Sequence, residues 1–220
     1  MFQHKPVSLG YADLEATTGP DGRTYNTPGG RNYPSITTIL GKFGKEGLEK
    51  WRERVGDAEA DRIGRVAALR GTRLHEAVET YLNNVTPTIT DIMVRSSFNQ
   101  IRPLLDKHVT EIYAQEAALY SDFLGVAGRV DLVANWDGLR SIVDFKTSAR
   151  EKTKEWIENY FMQCAFYAIA WEERTGQPVS QIVVAIASDE TPRPQVFVEK
   201  RDTWAPKLLE HIRMYKDGEV

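Results

Sequence analysis

The stretch GRVDLVANWDGLRSIVDFKTS, residues 128–148, sets Asp131, Asp144 and Lys146 among Val, Ile, Leu and Phe. Charged side chains seldom enter such strings unless they are paired or hold a metal. Asp137-Gly138 lies midway, and both residues tolerate the φ > 0 that a two-residue hairpin turn needs. With that turn Trp136 faces Leu139, and counting outward brings Asp131 opposite Asp144. Alternation of faces then puts Lys146 on the side of Asp144. Two facing carboxylates are unfavourable and push one pKa upward. A divalent cation between them reverses the penalty, because hard cations take oxygen ligands. The lysine favours a catalytic over a purely structural metal site. It can orient or help deprotonate a water, or neutralise charge on a phosphate. The same register sets Arg129 opposite Lys146, so the strands must splay, bulge or hold an anion there.

Around this hairpin the chain is ordinary in composition. It has 220 residues, 41% hydrophobic and 27% charged, with a net charge of −3. That size and balance fit one soluble α/β domain. The charge total gives no sign of a nucleic-acid binder, although a local basic surface remains open. One cysteine, Cys164, excludes an intrachain disulfide and a cysteine-ligated zinc or iron–sulfur cluster. No apolar run reaches the ~20 residues of a membrane helix, and the N-terminus lacks an apolar signal core. The expected setting is cytoplasmic, with no membrane partner.

The expected order is an N-terminal arm over 1–34, a mainly helical region over 35–110 and a sheet core over 111–200. The core carries a helix at 153–175, and a C-terminal helix covers 202–220. Ser35 caps a helix that starts at Ile36. Helices are expected over 46–56, 57–83 and 92–110, and strands over 113–120, 125–135, 139–147, 182–188 and 194–200. Thr175-Gly176 supplies a helix stop.

On the helix LRGTRLHEAVETYL (69–82), His75 lies at the edge of a stripe formed by Ile63, Ala67, Leu74, Val78 and Leu82. Gly71, one turn earlier, allows close backbone approach. A lone histidine there is more often a hydrogen-bonded core residue than a ligand, and Arg70 and Arg73 more often a solvated face than a phosphate clamp. In WIENYFMQCAFYAIAWEERTG (156–176), Trp156, Tyr160, Gln163, Tyr167 and Trp171 share one stripe. Trp156 and Trp171 read as core, and a glutamine in such a stripe needs hydrogen-bond partners.

G-x-x-x-H (Gly71, His75), G-x-x-D (Gly128, Asp131), D-x-K (Asp144, Lys146) and Q-x-x-x-Y (Gln163, Tyr167) follow one another in this order. A D-x-K triplet alone is common; four motifs in sequence are specific. The chain resembles a RecB-like nuclease of the PD-(D/E)XK superfamily. PSITTIL before the histidine helix, and DFKTS around the lysine, are most similar to the branch holding the mitochondrial genome maintenance exonuclease and its phage and bacterial relatives. The resemblance spans about residues 34–200. It implies a restriction-endonuclease-like mixed sheet flanked by helices, with the helical N-terminal region arching over the site.

The resemblance also implies cleavage of DNA phosphodiesters with Mg2+ or Mn2+, by a metal-activated water that Lys146 assists. Asp131 and Asp144 match the metal-binding carboxylates, the Phe145 carbonyl a further ligand, and His75 a histidine that joins the metal shell. Glu116 is placed like a glutamate on the preceding strand; the alternative is an exposed strand residue. Gln163 and Tyr167 match a helix motif that supports the site and contacts DNA. Thr147, Ser148, Arg70, Arg73 and Arg129 join them as candidate DNA contacts. Relatives that carry an iron–sulfur cluster use four cysteines, so that cofactor is excluded here. No nucleotide-binding G-x-x-x-x-G-K-[ST] is present, so the chain is expected to act alone or with a separate helicase, recombinase or single-strand-binding protein.

The similarity to exonucleases of this branch points to single-stranded DNA with a free end. Residues 41–73 carry nine Lys/Arg against six Asp/Glu, with Phe43 and Trp51 interleaved. That composition suits a basic groove with stacking platforms, and equally a charged surface helix pair. The alternatives on the same fold are a structure-selective endonuclease and a catalytically silent DNA-binding accessory protein in recombination or repair. The start of the chain lacks a transit-like segment, so a phage or bacterial source is expected.

Overall fold

The computed structural model describes residues 1–220, the side chain of Glu46 excepted. The chain begins with a short strand β1 (Gln3–His4) and a three-stranded sheet, β2 (Glu15–Gly19), β3 (Gly22–Asn26) and β4 (Asn32–Pro34). Four helices follow: α1 (Ile36–Phe43), α2 (Lys45–Val55), α3 (Asp57–Leu82) and α4 (Ile92–His108). Then come β5 (Val109–Ser121), β6 (Val126–Trp136), β7 (Leu139–Ser148) and a 3-10 turn at Lys154–Ile157. Helix α5 (Glu158–Thr175), strands β8 (Gln181–Ser188) and β9 (Gln195–Lys200) and helix α6 (Arg201–Lys216) complete the chain. The N-terminal arm expected over 1–34 is built of strands: β1 joins the main sheet and β2, β3 and β4 make a sheet of their own.

The main sheet runs β1-β5-β6-β7-β8-β9. β1 is parallel to β5 and β7 to β8; the other neighbours are antiparallel. A parallel β7–β8 pair needs a crossover, which α5 supplies. One face of the sheet packs Val126, Val130, Val133, Ile142, Val184 and Ile186 against α1, α5 and α6. The other packs Leu132, Val143, Phe145 and Val183 against α3 and α4. This is the mixed sheet flanked by helices that the sequence led us to expect. No helix is long and apolar enough to cross a membrane among the described residues.

Local signals act as their chemistry dictates. Ser35 accepts a hydrogen bond from the Thr38 amide and starts α1. Asp137 and Gly138 take φ 52° and 80° in the hairpin turn, and Gly176 stops α5 at φ 68°. Two stripes depart from expectation. Trp156 lies in the 3-10 turn before α5 and is exposed, whereas Trp171 is fully buried. The α3 stripe holds at Leu74, Val78 and Leu82, but Ile63 and Ala67 are exposed, on a side of the helix that α2 does not cover.

Candidate functional site

The hairpin register is as the turn dictates, from Trp136↔Leu139 to Leu132↔Val143. There the ladder stops. Val130 and Val133 face one core and Leu132 the other, so the alternation of β6 slips by one residue at Asp131. Asp131 and Asp144 are therefore not a laddered pair. Instead the Asp131 carboxylate accepts a hydrogen bond from the Phe145 amide at 2.8 Å. Splaying is also how Arg129 avoids Lys146: its guanidinium turns to Asp13 and to the Glu116 carbonyl.

On the other side of β6, the pairs Gln115↔Leu132 and Ala117↔Val130 bracket Glu116 and set it across from Asp131. Glu116 adopts φ +44° in the middle of β5. His75 reaches this fork from α3. Its Nδ1 is 3.5 Å from Glu116 Oε1, and its Nε2 is 3.5 Å from Asp131 Oδ2. Nε2 also donates to the Phe145 carbonyl at 2.8 Å. Donor atoms of His75, Glu116 and Asp131 lie within 4.8 Å of one another and could hold a metal ion. Burial would lower the His75 pKa, but Asp131, Glu116 and the Phe145 carbonyl outweigh it and raise it to about 9. Carboxylates and a carbonyl gather around a cationic ring, so this cluster is built to surround positive charge.

Asp144 is 1% exposed and points to the α5 side of the sheet. Lys146 Nζ lies 2.6 Å from both of its oxygens. Gln163 donates to Asp144 Oδ1 at 3.2 Å and to the Tyr167 hydroxyl at 3.3 Å. Burial pushes the Asp144 carboxyl up to about 6, against the pull of Lys146. Burial likewise opposes the Lys146 ammonium, but Asp144 and Asp131 hold its pKa above the ordinary value. The ammonium also sits 5.1 Å from the centre of the Tyr160 ring, a cation–π contact. Gly128 explains itself: a Cβ there would meet Tyr167 Cε1 at 2.8 Å. Gly71 does not make the close approach expected of it, since nothing lies within 4 Å of its Cβ direction.

The model of the PD-(D/E)XK nuclease superfamily matches residues 38–220. The chain belongs to that superfamily. The chain is also 26% identical over 209 residues to mitochondrial genome maintenance exonuclease 1 of Homo sapiens, across 85% of its own length. It spans 60% of the length of that relative. A solved structure titled "Crystal structure of SSO0001" aligns with a TM-score of 0.43 at 12% identity. That alignment covers 82% of this chain and 75% of the other.

Most of the other candidate residues are engaged within the fold. Arg70 donates to both Asp189 oxygens at 2.8 and 2.6 Å and to Ser97, which ties α3 to the end of β8 and to α4. Arg73 pairs with Asp91, the cap of α4, at 3.1 Å. Ser148 donates to the Arg150 carbonyl at 2.6 Å and closes the end of β7. Phe43 packs on the His211 ring with centroids 4.0 Å apart, so one of its faces is taken up within the protein. Thr147 is half-buried and lines a groove of about 430 Å3 with Ile63, Val66, Leu69 and Met93. Sequence reasoning also did not anticipate Asp13 and Asp189, which fix two of the arginines. No local signal marks either, because each meets its partner across more than a hundred residues.

Proposed function

We propose that this nuclease is a divalent-metal-dependent DNA exonuclease that acts on single strands with a free end. The observation that carries the reading is the convergence of His75, Glu116 and Asp131 from α3, β5 and β6 beside the buried Asp144–Lys146 pair. One imidazole and two carboxylates suit Mg2+ or Mn2+, and Asp144 with the Phe145 carbonyl stands ready to complete the set. When bound, the cation supplies Lewis acidity and makes a water nucleophilic at neutral pH.

The protein groups do the rest. Lys146, 2.6 Å from both Asp144 oxygens, presents its ammonium to the site, and its work is to neutralise charge that grows on the phosphate. Asp144 and the Tyr160 ring hold that ammonium in one place. Gln163 and Tyr167 hold Asp144 in turn, so the helix motif supports the site through the carboxylate. The groove at Thr147 favours single strands, because Ile63, Val66, Leu69 and Met93 offer apolar surface to unpaired bases.

End-labelled linear single-stranded DNA, a circular strand and a duplex, each with Mg2+, Mn2+ or EDTA, test the proposal. Loss of the linear strand alone, with metal and not with Lys146→Ala, is the expected result. Cutting of the circle would replace the exonuclease by an endonuclease. Binding without cutting in either metal would leave a silent DNA-binding protein.

A further inference from the structure

Glu116 is held in a backbone conformation that an unaided strand residue avoids. Its φ of +44° lies in the left-handed region, yet both neighbours keep the β5–β6 ladder. The residue that secures it is Arg129. One arm of the guanidinium donates to the Glu116 carbonyl. The other donates to both carboxylate oxygens of Asp13, at 2.8 and 2.9 Å.

Asp13 is itself anchored. Its Oδ1 accepts from the Leu14 amide at 2.8 Å. Leu14 is buried with Tyr25, Ala118, Tyr120 and Ala127, and the Tyr11 hydroxyl donates to the Ala118 carbonyl at 2.8 Å. The N-terminal arm thus docks on β5 and β6 and delivers one carboxylate to Arg129. The arm also lies before residue 38, where the superfamily match begins.

We propose that Asp13 and Arg129 are positioning residues: the arm locks the Arg129 fork, which holds Glu116 so that its carboxylate joins His75 and Asp131 in the cation cluster. The proposal rests on the metal reading above. It gives Arg129 a role distinct from contact with DNA, since both of its Nη groups donate inside the protein.

The test is Mn2+ affinity of the full chain by calorimetry, without DNA, for wild type, Asp13→Ala, Glu116→Gln and the double variant. Supporting outcomes in partners of a metal ligand weaken binding about 10-fold or more. Asp13→Ala is expected to weaken Mn2+ about 10-fold, and Glu116→Gln at least as much. The double variant is expected to bind no more weakly than Glu116→Gln alone, because both act through one carboxylate. The Asp13–Arg129 pair is partly exposed, so circular dichroism melts should stay close to wild type.

Wild-type Mn2+ affinity in Asp13→Ala overturns the proposal, and so do losses that add in the double variant. So would weakened DNA binding with Mn2+ affinity intact, which would return Arg129 to the substrate. No Mn2+ binding by the wild-type protein would instead defeat the metal reading itself.

Discussion

The two halves of α3 carry similar apolar spacing and meet different surroundings. In the C-terminal half Leu74, Ala77, Val78 and Leu82 are buried against α4 and the sheet. In the N-terminal half Ile63, Val66 and Leu69 are 39%, 58% and 50% exposed. Arg70 is the divide, clamped to Asp189 and Ser97. Beyond it the helix is braced mainly by ion pairs, among them Arg52 of α2 with Asp57 and Asp61 at 2.8 Å each. One half positions His75 in the cluster; the other leaves its apolar side chains along the groove that ends at Thr147. Apolar periodicity marks a face that wants a partner, and only packing says whether the fold provides one.

The largest contrast expected from this division is in stability. Leu74→Ala removes a side chain with no exposure and should cost about 2–5 kcal/mol. Leu69→Ala, only five residues away, should stay within about 0.5 kcal/mol. Urea unfolding of both variants measures the difference. Equal losses would mean that the N-terminal half is packed in solution and that the groove is closed.

A second contrast concerns charge. His75 has a folded pKa of about 9, raised above its ordinary 6.5. The stabilisation this gives is complete below pH 6.5 and is lost as pH rises through 9. Asp144 shifts in the same direction, but its transition is over near pH 6. In EDTA, stability should therefore fall by roughly 2 kcal/mol between pH 7 and pH 9, below the range where burial of Cys164 adds a loss of its own. His75→Gln should flatten most of that slope, whereas changes in the N-terminal half of α3 should leave it alone. An unchanged slope in His75→Gln would show that the ring is not the cation among these carboxylates.

These contrasts also mark what the sequence reveals. The turn and the register could be read because Asp137-Gly138 fixes both through local backbone chemistry. The fork could not, because a ladder is expected to continue and only the facing of Val130, Leu132 and Val133 betrays the slip at Asp131. The motif residues His75, Asp131, Asp144, Lys146, Gln163 and Tyr167 could be found by their types and order. The pattern of β5 does not fix Glu116; its carbonyl is held by Arg129, which pairs with Asp13 more than a hundred residues away. Arg70 and Arg73 were open to a surface reading because a guanidinium looks the same in sequence whether its partner is a phosphate or an aspartate. Trp156 was misread because the helical stripe was extended into a 3-10 turn, where the facing changes.

The smallest expected effect compares two motif glycines. Gly128 is required by packing, since an added methyl would strike Tyr167 at 2.8 Å and Ile36 at 3.2 Å. Gly71 stands in the middle of α3 with open space around its Cβ direction. Glycine inside a helix is worth about 0.5–1 kcal/mol less than alanine. Gly71→Ala should therefore raise the unfolding midpoint slightly, the reverse of Gly128→Ala. If the fold has no need of a glycine there, the space it leaves one turn before His75 is available to something that is not the protein. Degradation of linear single-stranded DNA should then slow in Gly71→Ala even as stability rises. A variant more stable and equally active would show that the open face of α3 near His75 is not where the strand runs.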